Sequence, residues 1–445
     1  MKRSSWRFLW KSEDIRNKLL ISLLLLAVYR LAANIPVPGI DRAIVSQLTN
    51  ASASGAGGNL IGLLDLLSGG AVSQFSVLAM GVYPYITAQI ILQLLTPVIP
   101  ALERKMQEDP REGRIWMEKW TVILTIPMAL LSAFGQINIF KQMLGPDSAI
   151  ATFGFSGASL LPSITAIITM VAGTMFGIWI GQLISEFGLR NQGLSLIIFS
   201  GIVSRFPVAI ARMVNQKEAW WVFLIVLVVF ILSIVAIIYV QGGRRNIPVL
   251  FPGRRIGNRM SMPVRSQLPL MVNMAGMIPI IFAQSFLTFP AILSSFFINS
   301  GTKWVNSFSN WVYRAFSGDT WWYPIMFFLL VVAFAYFYTD VLFGQQNYGE
   351  NLKKQGAQIP GVVRGKPTQD YLTRVQRRIT LPGAFFLGLI SVLPFIMGMF
   401  LPENSGGLQL MQASGLLIVV GTIRETVELI ETELRMHGYD DRLIN

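Results

Sequence analysis

The chain has 445 residues, 53% hydrophobic and 13% charged, against about 25% charged in a soluble protein, so lipid is its main solvent. It carries no cysteine and one histidine, His437, which excludes disulfides, zinc-thiolate sites, thiol nucleophiles and intramembrane catalysis that needs a histidine. The net charge is +13, and its placement is more informative than its size.

Apolar runs long enough to cross a core of about 30 Å predict spans over 19–35, 75–95, 117–137, 158–184, 193–211, 219–240, 268–290, 321–343, 380–401 and 408–430. A basic segment, residues 1–18, leads into the first without a small-residue cleavage site, as expected of a retained span rather than a signal peptide. Residues 51–58, all Ala, Ser or Gly, read as a flexible external linker. The run Asn59 to Gly70, with Leu60, Ile61, Leu63, Leu64, Leu67, Ser68, Gly69 and Gly70, is too short to cross. Its double glycine suits a turn back, so it is either a re-entrant segment filling a pore mouth or an interfacial helix.

Span two carries Gly81-Val-Tyr-Pro84-Tyr-Ile86-Thr-Ala88-Gln89, and span seven carries Gly276-Met-Ile-Pro279-Ile-Ile281-Phe-Ala283-Gln284. Five of the nine positions match, 195 residues apart. Gly and Pro at membrane depth weaken a helix, and paired interruptions in two halves point to a pathway between them. Gly173, Gly177 and Gly181 in span four mark a close helix contact.

With the N-terminus inside, 28 Lys and Arg fall on the inner face and seven on the outer, which places both termini in the cytoplasm. Ten spans then divide into halves, 19–211 and 219–430, joined by an external hinge at 212–218. Five is odd, so the halves insert with opposite topology, and spans two and seven become counterparts. The expectation is an all-α polytopic membrane protein of ten transmembrane helices in two inverted halves. Basic cytoplasmic loops lie at 241–267 and 343–379, and a cytoplasmic tail at 431–445.

A small-solute secondary transporter would place acids or histidines at the midplane. The middles of spans two, three, four, six, seven and nine have none, and Asp340, Arg424 and Glu425 lie toward span ends. Arg30 is the one ionised group well inside a span, and packing against polar backbone or snorkelling accounts for it as well as function does. An intramembrane enzyme lacks a visible nucleophile–base or metal pair. Val82, Ile86 and Ile281 lie within a turn of the paired prolines; as a ring they would stop ions by dewetting yet spread around a larger guest. Ordinary helix packing is the competing reading.

Ser76 to Leu95 closely resembles the second-span signature of the SecY family, the channel subunits of the bacterial protein translocase. Ile35-Pro36-Val-Pro38-Gly39-Ile-Asp41, Leu67-Ser68-Gly69-Gly70-Ala71, Thr174-Met-Phe176, Val272 to Pro279 and Asn351 to Ala357 resemble it too, in the family order. The resemblance implies an hourglass pore that passes unfolded polypeptides outward or releases apolar segments sideways into lipid. It places the pore ring on Val82, Ile86, Leu194, Ile198, Ile281 and Ile418, and a plug on about 58–74. It sets a lateral gate between spans two and seven, where Thr87, Gln93, Asn273 and Ser285 lie. It implies partners SecE and SecG, a motor (SecA or the ribosome), signal peptides and nascent chains as clients, and the bacterial cytoplasmic membrane as location. No phosphate-binding loop is present and no cofactor is expected, so the driving force comes from outside.

Docking is expected at Arg244, Arg245, Arg254, Arg255, Arg364 and Lys366, since the 241–267 loop holds six arginines and no acid. The sequence departs from the family pattern on this face. Asn246 is inserted after the paired arginines, the arginine of Ile359 to Gly365 is moved by one, and Gly188 to Gly193 is one residue longer than usual. Gln182 also replaces a customary acid.

Overall fold

The computed structural model describes residues 12–38, 71, 75–96, 99–100, 102, 110–144, 160–204, 207, 220–251, 255–256, 259–260, 264–298, 302–316, 318, 320–400 and 413–436. The chain is an all-α multi-pass membrane protein that carries, among the described residues, a small hairpin of two antiparallel strand pairs. Helices α1 (Glu13–Ala32), α2 (Tyr83–Leu95), α3 (Pro110–Leu144), α4 (Leu160–Phe187), α5 (Gly193–Val203) and α6 (Trp220–Gly242) come first. Strands β1 (Arg244–Phe251), β2 (Arg255–Ile256), β3 (Arg259–Met260) and β4 (Val264–Met271) follow. Helices α7 (Ile278–Ser295), α8 (Lys303–Phe316), α9 (Tyr323–Gln346), α10 (Tyr348–Lys354), α11 (Lys366–Phe400) and α12 (Ala413–Met436) complete the chain.

Among the described residues, five helical stretches are long and apolar enough to cross a membrane: Arg111–Asn138, Leu160–Phe187, Ile278–Ser295, Tyr323–Lys354 and Lys366–Met397. The segments expected as spans one, two, five and ten are helical as well, but shorter or more charged, and span six is the uncharged 23-residue helix α6. Two of them are far from full-length spans. Helix α2 has 13 residues and α5 has 11, about 20 and 16 Å at 1.5 Å per residue.

The shortness of α2 has a local cause. Residues 75–82 form turns, and their backbone groups are met by the end of span one. Val37 N donates to Phe75 O at 3.0 Å, and Val77 N to Ile35 O at 2.9 Å. The prolines at 36 and 38 prevent the first helix from continuing, and the extended chain they leave pairs with this segment instead.

The glycines of α4 pack as the sequence implies. A Cβ on Gly173 would collide with the Val77 carbonyl; one on Gly177 would lie 3.3 Å from the Tyr29 ring, and one on Gly181 2.9 Å from Leu194. Small residues thus bring α4 against the turn before α2 and against α5. Arg30 is accounted for by the same neighbourhood. Its guanidinium donates to Ser200 O and, at 2.6 Å, to Ser204 Oγ, at the carbonyl end of α5 where a cation is favourable.

Among the described residues, three apolar clusters divide the interior. The largest runs through both halves and contains Ile86, Ile198, Ile281 and Ile418. A second joins Phe75, Met80 and Tyr83 to Ala133, Ile137 and Ile292. The third, Ile247, Val249, Leu270, Phe343, Leu352, Ile359, Leu372 and Ile379, lies under the two basic loops. Those loops therefore form one small folded unit. Strands β1 and β4 pair antiparallel from Arg244↔Met271 to Phe251↔Val264, and Leu250 exchanges two hydrogen bonds with Gln358 of the second loop, at 2.8 and 2.9 Å. Inserted Asn246 is a regular strand residue opposite Pro269.

A candidate pore and gate

Both copies of the repeated motif have one backbone geometry. Gly81 and Gly276 adopt positive φ, 52° and 63°, which glycine alone adopts without strain. The next residue, Val82 or Met277, is the N-cap, and Pro84 or Pro279 lies in the first turn of its helix. A proline there removes only an amide that would have no intrahelical acceptor. The motif therefore starts each helix rather than kinking it, which corrects the sequence expectation of a weakened helix.

The two helices meet. Helix α7 packs on α2 and α3, and Tyr83 Oη donates to the Ser285 carbonyl at 3.3 Å. This bond ties one motif copy to the other helix, and sequence reasoning overlooked Tyr83 although it sits inside the repeat. A small cavity beside it is lined by Ala79, Met80, Tyr83, Ser132, Gln136 and Ile292.

The six expected ring residues all join one apolar cluster. Val82, Ile86, Ile198, Ile281 and Ile418 are buried, and half-buried Leu194 packs against them. Of the expected gate residues, Thr87 and Ser285 are buried and Gln93 and Asn273 half-buried. Their side chains do not bond to one another. Thr87 Oγ1 donates to Tyr83 O at 3.1 Å within its own helix, and Asn273 Nδ2 to Gly276 O at 3.0 Å. Ser285 Oγ and Gln93 Oε1 are buried without a partner among the described residues. So is the whole amide of Gln284, which is fully buried. Gln284 ends the repeated motif, and a glutamine so deep in an apolar helix was the signal for it.

Leu60, Ile61, Leu63, Leu64, Leu67, Ser68, Gly69 and Gly70 lie outside the described residues, as do Arg254 and the 212–218 hinge. Arg255 is in β2. Arg245, Arg364 and Lys366 are exposed. Arg364 stands between two positive-φ glycines, Gly361 and Gly365, beside Val363, which is 72% exposed. Arg244 departs from the expectation of an unopposed charge: Glu428 of α12 accepts from it at 3.0 Å and also pairs with Arg424 at 2.9 Å. The acid comes from another element, which a charge count confined to the loop does not register. Farther along α12, Glu433 pairs with Lys18 of α1 at 2.9 Å, tying the first and last helices together. That hydrogen bond raises Lys18 above the ordinary lysine value.

Among the described residues, no cluster of three or more His, Cys, Asp or Glu could hold a metal.

The SecY family model matches residues 76–427. A "Protein translocase subunit SecY" from Streptomyces griseus is 36% identical over 438 residues, covering 97% of each chain. Proteins of the same name from Corynebacterium glutamicum and Chlamydia trachomatis serovar D are 34% and 35% identical, covering 98% of this chain and 98% and 96% of their own. Among solved structures, one described as "The structure of a protein conducting channel" matches with a TM-score of 0.59 at 16% identity, over 99% of this chain and 100% of that one. A second, of a SecY protein with a plug domain, matches with a TM-score of 0.58 at 16% identity and the same coverage. With the fold and the sequence in agreement over nearly the whole chain, this protein belongs to the SecY family.

Proposed function

We propose that this chain is the central subunit of a protein translocation channel: a passive, gated pore that passes unfolded polypeptides across the bacterial cytoplasmic membrane and releases apolar segments into lipid. The observation that carries this reading is the contact between the two helices that the repeated motif starts, joined by Tyr83 at the start of α2 and the Ser285 carbonyl two turns into α7, and backed by an apolar cluster containing Ile86 and Ile281. An apolar ring gives ions nothing in exchange for their hydration. Val82, Ile86, Leu194, Ile198, Ile281 and Ile418 form the ring, the 58–74 segment plugs its outer mouth, and α2 and α7 part at the gate. Each Leu or Ile in a client segment contributes about −0.3 to −0.6 kcal/mol toward lipid, and a charge costs about 2.5–3.5 kcal/mol there. A channel with both routes sorts by that difference. The expected result is that a stalled secretory chain crosslinks to probes at positions 82, 86, 281 and 418. Crosslinks confined to the outer surface would defeat the assignment.

Both termini lie in the cytoplasm in this reading, SecE and SecG complete the complex, and SecA or the ribosome drives transport from the basic face. Exposed Arg364, raised on its glycine-bounded turn, is the docking arginine. Arg364→Glu is expected to slow SecA-driven translocation in inverted vesicles strongly while leaving the fold unchanged by circular dichroism. Wild-type transport by that variant would remove Arg364 from the docking surface. Arg244, held by Glu428, contributes less to docking than Arg245.

A further inference from the structure

Helix α8 was not anticipated as an element, and it has three distinct sides. At about 100° per residue, Val305, Ser309 and Phe316 share one side, Trp304, Phe308 and Trp311 a second, and Lys303, Ser307 and Arg314 a third. The first side faces protein: Ser309 is buried and Phe316 packs against the largest apolar cluster and against the one that holds Tyr83 and Ile292. The third side is polar and exposed. The second is the unusual one. Trp304, Phe308 and Trp311 are 76%, 54% and 64% exposed, and their rings stack in series with centroids 5.9 and 6.3 Å apart.

Position in the fold identifies the occupant of that stripe. Helix α7 is long and apolar enough to cross the membrane, and so is the stretch that begins at Tyr323. Short connections join α8 to both, so it lies at the membrane surface on the face opposite the β-hairpin. The exposed apolar surface continues along the chain on either side of it, at Phe297 before and at Trp321 and Ile325 after. Tryptophan favours the headgroup level, where one edge of the ring is apolar and the other wet. A helix with protein, aromatic and cationic sides fits the corner where protein, lipid and water meet.

We infer that α8 is an interfacial helix whose Trp304, Phe308 and Trp311 are seated in the lipid leaflet opposite the hairpin face, with Lys303 and Arg314 toward the headgroups. Because α8 packs on α7 and reaches the cluster containing Tyr83, the lipid surface holds the outer end of the gate. This placement needs only a membrane-spanning chain and stands whether or not the chain conducts polypeptides.

The absence of cysteine makes the test direct. The full chain carrying W304C, F308C, W311C or S307C is spin-labelled and reconstituted in vesicles of phosphatidylethanolamine and phosphatidylglycerol. Collision with oxygen, which concentrates in lipid, is then compared with collision with a water-soluble nickel chelate. The expected result is an oxygen-to-nickel ratio several-fold higher at 304, 308 and 311 than at 307. Nickel access at the three aromatic positions equal to that at 307 would overturn the proposal in favour of a solvated helix. Protection from both reagents would overturn it in favour of a protein partner. All four positions are exposed, so the replacements leave the core packing intact.

Discussion

Replacing Ile86 and Ile281 together by serine is expected to raise the resting ion conductance of the reconstituted channel by about tenfold or more, the effect of lowering a barrier by ~1.4 kcal/mol. Both side chains are 7% exposed within one apolar cluster, and both follow the helix-starting proline of their motif by two residues. Serine is smaller and carries a hydroxyl, so the double variant widens the proposed constriction and gives water a partner there. A dewetted constriction is sensitive to both changes. Valine at the same two positions keeps the surface apolar and is expected to keep the seal, which separates loss of dewetting from simple loss of volume. The measurement is single-channel or flux conductance in planar bilayers. Unchanged conductance in a serine variant that folds would show that ions are stopped elsewhere.

Hydropathy was enough to find the spans that are continuous helices, because an apolar run longer than the bilayer core has few other fates. It failed where apolar character and helicity part. Phe75, Leu78 and Ala79 are buried and apolar, so the hydropathy of span two continues through turns whose backbone pairs with Ile35 and Val37. In α11 the error runs the other way. The 14 residues from Lys366 to Ile379 are helical but too polar to be read as span. The hairpin left a signal that a count of arginines overlooked: Ile247 and Val249 are buried and Asn246 and Pro248 exposed, the alternation of a strand. Helix α8, at 14 residues, is too short to cross the bilayer, yet aromatic residues at 304, 308 and 311 carry its period in the sequence. The Arg244–Glu428 and Lys18–Glu433 pairs, separated by 184 and 415 residues, are set by tertiary packing and have no local sign.

Two single substitutions at the proposed gate are expected to act in opposite directions. The Gln284 amide is fully buried with no partner among the described residues, a cost of about 1–3 kcal/mol. Opening a path between α2 and α7 brings water or a client segment to this helix and relieves that cost, so the closed arrangement bears a penalty the open one does not. Gln284→Leu removes the penalty at nearly constant volume. It is expected to favour the closed state by about 5–150-fold and to slow signal-dependent translocation, most visibly for weakly apolar signals. Tyr83→Phe does the reverse. It deletes the bond to the Ser285 carbonyl, about 0.5–1.5 kcal/mol of closed-state stabilisation, and leaves no donor stranded because the hydroxyl goes with the bond. That variant is expected to accept weaker signals and to leak slightly. The same translocation assay, run with a graded series of signal hydrophobicity, reads both. Faster transport by Gln284→Leu would mean that its amide finds a partner in the closed channel rather than the open one. Slower transport by Tyr83→Phe would mean that the tyrosine hydroxyl serves the open path and does not hold the gate shut.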